Sequence, residues 1–113
     1  MFHKNYEQRL NSWSSLRQKL EVAADPFQEV IDFYKQAPYV SVHTDPWSQD
    51  MWPDPWELVY ENQYDEFCTV LGMCYSLQLT DRFKGSEFEI HICTLESLSY
   101  VYLLFVDDYV LGY

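Results

Sequence analysis

The stretch from Tyr64 to Leu79 constrains the fold most. Tyr64, Phe67, Cys68, Val70, Leu71, Met73, Cys74, Tyr75, Leu77 and Leu79 fall on most sides of a helical repeat, so few positions are left to face water. Such a helix has to be surrounded and belongs at the centre of the fold. Gly72 inside it costs about 1 kcal/mol relative to alanine, a penalty most easily offset where another backbone packs close.

After Lys84-Gly85-Ser86 the apolar period changes to two. Phe88, Ile90 and Ile92 point one way and Glu87, Glu89, His91 and Cys93 the other, which predicts a strand with one buried face. Leu98 to Val106 is apolar on both faces and reads as the middle strand. Asp107-Asp108 suits a tight turn, since aspartate tolerates left-handed geometry, and Tyr109 to Tyr113 makes the last strand. That last strand is an edge, able either to pair with a second copy or to lie under a loop.

Upstream, Tyr6, Leu10, Trp13, Leu16 and Leu20 form one stripe on a helix from about Lys4 to Ala23. Asp25-Pro26 then restarts the chain as N-cap and first helical residue, with Gln28 completing a capping-box pattern. Phe27, Val30, Ile31 and Tyr34 continue that helix, which Pro38 stops near Ala37. Tyr39 to His43 alternates like a short strand. Asp54-Pro55-Trp56-Glu57 repeats the capping grammar and starts a third, short helix. The expected architecture is α+β: N-terminal helices and a central buried helix packed on a C-terminal three-stranded antiparallel meander. It forms one domain over residues 1–113, with a helical hairpin at 1–37, a Pro/Trp-rich loop at 38–56, the short and central helices at 57–83 and the sheet at 87–113.

Charge is unevenly distributed. Lys4, Arg9, Arg17, Lys19 and Lys35 precede a span from Gln36 to Asp81 with no Lys or Arg, in which Asp45, Asp50, Asp54, Glu57, Glu61, Asp65, Glu66 and Asp81 supply a candidate acidic surface. The formal net charge of −11 disfavours direct nucleic-acid binding and suits a basic protein partner. Met1-Phe2-His3-Lys4-Asn5 opens into a polar helical pattern, and the most apolar run, Tyr100 to Val106, is far below the roughly 20 residues of a membrane span. A cytoplasmic protein without membrane contact is expected, and its three cysteines, lacking CxxC spacing, are expected to be reduced.

With only Gly72, Gly85 and Gly112 available, a glycine-rich phosphate loop has no material, and neither cofactor nor metal is expected. His91, Asp65, Asp107 and Asp108 could converge from a helix and two strands, but no ligand spacing supports a metal site, and turn and helix-start roles account for the three aspartates. Asp25-Pro26-Phe27, Asp45-Pro46-Trp47 and Asp54-Pro55-Trp56 resemble the short motifs recognised by endocytic adaptor appendage domains, but the helix-start grammar at two of them assigns those to capping.

The order of central helix, strand with His91 and strand ending in Asp107 looks like the core of transglutaminase-like and papain-like cysteine enzymes. That resemblance implies a nucleophilic Cys at the helix N-terminus, where the dipole lowers a thiol pKa, with an activating His and an orienting acid. Asp65 stands where such a Cys would be, with Cys68 further along, so the resemblance implies an inactive relative or, as the alternative, a hydrolase or acyl-transfer enzyme using Cys68 or Cys93 with His91 and Asp107. The stretches 52–64, 77–83 and 88–92 resemble small uncharacterised proteins of tailed phages that infect marine cyanobacteria, implying a host-cytoplasmic or virion context. The leading functional expectation is a non-enzymatic acidic protein-interaction module. Trp47, Trp52 and Trp56 are its candidate contact residues, weighed against a role as core filling.

Overall fold

Side-chain caps begin all four α-helices in the computed structural model, which describes residues 1–41, 44–94 and 100–112. Helix α1 (Tyr6–Val22) starts at Asn5, whose carboxamide accepts from Gln8 N while Gln8 reaches back to Asn5 N, a complete capping box. Helix α2 (Pro26–Tyr34) starts at Asp25 with Pro26 in its first turn, as the sequence requires. The expected Gln28 half of its box does not form: the Gln28 amide instead donates to Asp32 Oδ1 at 2.8 Å, one turn further on. The helix also ends earlier than Ala37. After Lys35 the chain tightens into bonds from Gln36 N to Phe33 O and from Ala37 N to Tyr34 O, three residues back.

Helix α3 (Pro55–Glu61) has the full Asp54/Glu57 capping box and closes on Asn62 in the left-handed region (φ 53°). Asparagine tolerates that conformation, and here its side-chain amide also donates to Phe2 O at 2.7 Å. Helix α4 (Glu66–Gln78) begins two residues later than Tyr64, because Asp65 is its N-cap, accepting from Cys68 N. Tyr64 lies outside the helix and pairs as an isolated parallel bridge with Tyr39. That bridge is all that forms, among the described residues, of the strand expected over 39–43; Val42 and His43 lie outside them.

The sheet follows the expected meander, β1 (Phe88–Thr94), β2 (Tyr100–Val106) and β3 (Tyr109–Gly112), in the order β1-β2-β3 with both pairings antiparallel. Of the residues assigned to strands from sequence, Leu98, Ser99 and Tyr113 lie outside the described residues. Asp107 takes a positive φ of 52° at the turn between β2 and β3, where its amide donates to Glu87 O and its carboxylate accepts from Glu87 N.

Helix α4 is the buried rod. Val70, Met73 and Leu77 have no exposed surface, and α1, α2, α3, β1 and β2 all pack on it. Trp13, Leu16 and Leu20 deliver the α1 stripe to this core, and Leu104, Val106 and Leu111 close it from the sheet. Gly72 is approached by a ring rather than by a backbone: a Cβ there would lie 2.7 Å from Tyr34 Cε1. Arg82 fastens the end of α1 to the chain after α4, donating from Nη1 to Leu20 O and Ala23 O, while Glu21 accepts from Asp81 N and Arg82 N. No helix among the described residues is long and apolar enough to cross a membrane.

Candidate functional site

The Pro/Trp-rich segment is built on local hydrogen bonds. Asp45 accepts from Trp47 N through Oδ1 at 2.9 Å and from Ser48 Oγ through Oδ2 at 3.0 Å, so an Asx turn fixes the chain on either side of Pro46. A 3-10 turn at Gln49–Met51 follows, and Tyr75 Oη then donates to Pro53 O at 2.7 Å, tying the segment to α4. These contacts separate the three tryptophans. Trp52 lies on Phe67, centroids 5.0 Å apart, with its indole Nε1 buried. Trp56 meets Trp13 edge-on at 6.0 Å yet remains 51% exposed, and Trp47 is 66% exposed.

Further exposed apolar groups follow Trp47 in the same run of sequence. Met51 and Tyr60 are 71% and 66% exposed, and Asp45, Asp50, Asp54, Glu57 and Glu61 are exposed among them. Asp65, counted from sequence with the acidic surface, is instead buried at 2% exposure. Its Oδ1 accepts from Cys68 N at 2.7 Å and its Oδ2 from Thr44 N at 2.6 Å, so one carboxylate caps α4 and anchors the Trp-bearing segment.

Next to this surface is a groove of about 620 Å³ between α4, β1 and the 3-10 turn. Leu71, Cys74 and Gln78 line it from α4, spaced at three and four residues so that they share one helix face. Phe88 to His91 line the opposite wall, and Gln49 and Trp52 lie at its border with the Trp-rich segment.

The candidate thiol chemistry is dispersed. Cys68 occupies the first turn of α4, closer to the helix N-terminus than its sequence position suggested, yet burial pushes its thiol up to about 12 and its Sγ lies 3.2 Å from Thr44 Oγ1. His91 pairs through Nε2 with Glu89 Oε2 at 2.9 Å and stacks on Phe105, centroids 4.1 Å apart. Cys93 is half-buried opposite Val101, and Asp107 is spent on the β2–β3 turn, where hydrogen bonds from Glu87 and Ser86 hold its carboxyl below the usual range. Cys74, which the sequence reading did not single out, is the cysteine that shares the groove with His91; burial raises its thiol to about 12 as well. Its place on the face with Leu71 and Gln78 was readable from helical spacing, but the wall opposite was not.

Among the described residues no group of three or more His, Cys, Asp or Glu side chains could hold a metal ion. Exposed aromatics and carboxylates thus share the run 45–61, of which Gln49 and Trp52 line the groove, while each member of the candidate Cys/His/Asp set has a separate polar partner or strand neighbour. In comparison with known proteins, no family model, no curated protein and no solved structure matches the chain.

Proposed function

We propose that the chain is a non-enzymatic protein-interaction module that engages a basic protein partner through the acidic, tryptophan-bearing surface of residues 45–61. One observation carries this reading: Trp47, Met51, Trp56 and Tyr60 are each more than half exposed within a run that contains five exposed carboxylates and no Lys or Arg. Large apolar side chains on a hydrogen-bonded scaffold supply contact area at little ordering cost, and the surrounding carboxylates favour a cationic partner and speed its encounter. The resemblance of 52–64, 77–83 and 88–92 to phage proteins makes an accessory or virion-associated role, within a host cytoplasm or a virion, part of the same proposal.

The alternative of a transglutaminase-like cysteine enzyme finds no support in the contacts. Cys68 is partnered by Thr44 and His91 by Glu89, and the Cys68 thiol is shifted away from the thiolate that attack requires. A titration with a lysine-rich peptide, followed by amide chemical shifts across a salt series, tests the interaction reading. Shift changes concentrated in residues 45–61 and binding that weakens with salt are expected. Changes scattered over the surface, or binding indifferent to salt, contradict it.

A further inference from the structure

The outer edge of β1 has the geometry of a strand-accepting site. Asp107 N donates to Glu87 O at 2.9 Å, which makes the residues facing each other at 87 and 107 a hydrogen-bonded pair. Bonded and non-bonded pairs alternate in an antiparallel ladder. Stepping by two along the register makes Glu89↔Phe105, His91↔Leu103 and Cys93↔Val101 bonded pairs as well. Phe88, Ile90, Ile92 and Thr94 therefore direct their N–H and C=O groups away from β2. Because β1 is the first strand of the order β1-β2-β3, no described strand meets that edge.

Two features distinguish this edge from an ordinary one. Its register with β2 is unbroken from Phe88 to Thr94, without the proline or bulge that commonly blunts an edge. Its Phe88–Ile90 portion also forms a wall of the 620 Å³ groove, with the apolar side chain of Leu71 across from it on α4. By contrast, the opposite edge, β3, is four residues long, and its Tyr109 packs on Phe27 at 5.0 Å.

We infer that the β1 edge accepts an extended segment of a cationic protein by strand addition, the segment's backbone pairing with Phe88, Ile90 and Ile92 while alternate side chains enter the groove. Unpaired donors and acceptors repeating every second residue match an extended peptide and not a helix. Charge selects the kind of segment: the groove wall carries Glu89, the adjoining turn carries Asp50, and neither Lys nor Arg is among the residues that line the groove. A second copy of the chain fits poorly, since each copy carries −11 and the edge itself carries Glu87 and Glu89. The inference rests on the interaction reading above and assigns its partner a conformation and a place of contact.

The probe is a blocked seven-residue peptide alternating lysine and valine, matched to the length of β1, together with two derivatives, one N-methylated at every valine and one at every lysine. Only one edge of a bound strand faces β1, so one derivative should bind at least about tenfold more weakly and the other should bind like the parent. The parent peptide should shift the amides of Phe88, Ile90 and Ile92 in addition to those of residues 45–61. Equal affinity of all three peptides with shifts confined to residues 45–61 overturns strand addition and leaves the interaction reading standing. Absence of any binding overturns both. Dimerisation of the free protein through β1 overturns the assignment of a cationic partner.

Discussion

Tyr34 Oη lies 3.0 Å from Ser76 Oγ in the centre of the molecule, joining α2 to α4 at a point with no solvent access. Ser76 spends its own proton on Gly72 O at 2.8 Å, so its two lone pairs accept from Tyr34 Oη and from Trp13 Nε1, the latter at 3.0 Å. A single hydroxyl thereby satisfies one buried donor from α1 and one from α2. Ser76→Ala removes one small group and strands both. It is expected to cost about 2–6 kcal/mol in a urea unfolding series, from two buried donors at roughly 1–3 kcal/mol each. A loss below about 1 kcal/mol would show that the hub is not formed.

The same tyrosine ring explains Gly72. Alanine has the better helix propensity by about 1 kcal/mol, and on propensity alone Gly72→Ala should stabilise α4. Its Cβ would meet Tyr34 Cε1 at 2.7 Å and Cζ at 2.9 Å, and the ring is held by packing and by Ser76. The substitution is therefore expected to destabilise by about 1–3 kcal/mol, the usual cost of overpacking. A rise in melting midpoint on Gly72→Ala is the contrary result.

Alkaline pH should loosen the core from about pH 9 upward. Burial raises the Cys68 and Cys74 thiols from 9.0 to about 12, and Tyr34 from 10.0 to about 12. Each group keeps its proton in the folded chain while the unfolded chain loses it, so stability is fully present below the unfolded pKa and declines as pH rises toward 12. The slope is roughly 1.4 kcal/mol per pH unit for each group that ionises in the unfolded chain alone. Urea midpoints measured between pH 8 and pH 11 should fall from about pH 9, and less steeply in the variant Cys68→Ala/Cys74→Ala.

Thiol accessibility separates an interaction module from a cysteine enzyme. Cys68 and Cys74 are buried, with thiols far from ionisation at neutral pH. A small alkylating agent at pH 7 should leave both unmodified in the folded protein and modify both after denaturation, as read by mass spectrometry of the digested chain. Rapid alkylation of Cys68 in the folded state would restore the catalytic alternative.

Much of the architecture was legible because the chain announces it locally. The Asp-Pro pairs at 25–26 and 54–55 mark helix starts through a carboxylate acceptor and a missing amide, and both act that way. The period-two pattern of β1 and the Asp107-Asp108 turn fixed the meander in the same fashion. What escaped the sequence depends on partners distant along the chain. Asp65 was counted with the surface acids and given a helix-start role, and it does cap α4, yet its burial and the bond of its second oxygen to Thr44 N across twenty-one positions had no local sign. Ser76 drew no attention in the sequence, because nothing local shows that Trp13 and Tyr34 converge on it. The tryptophans were one cluster in sequence and became three environments, because Phe67 and Trp13 each claim one of them while Trp47 has neither. The groove depends on how β1 lies against α4, which no spacing encodes.

Trp47 gives the most direct test of the central claim that the exposed surface of residues 45–61 serves a partner and not the fold. The measurement is the affinity of Trp47→Ala for the lysine-rich peptide, with the melting curve of the same sample, beside Trp52→Ala as the packed counterpart. The account predicts about tenfold weaker binding for Trp47→Ala with melting unchanged, and a lowered melting midpoint for Trp52→Ala, which loses its packing on Phe67. A Trp47→Ala protein that melts earlier while binding the peptide as tightly as the parent contradicts it.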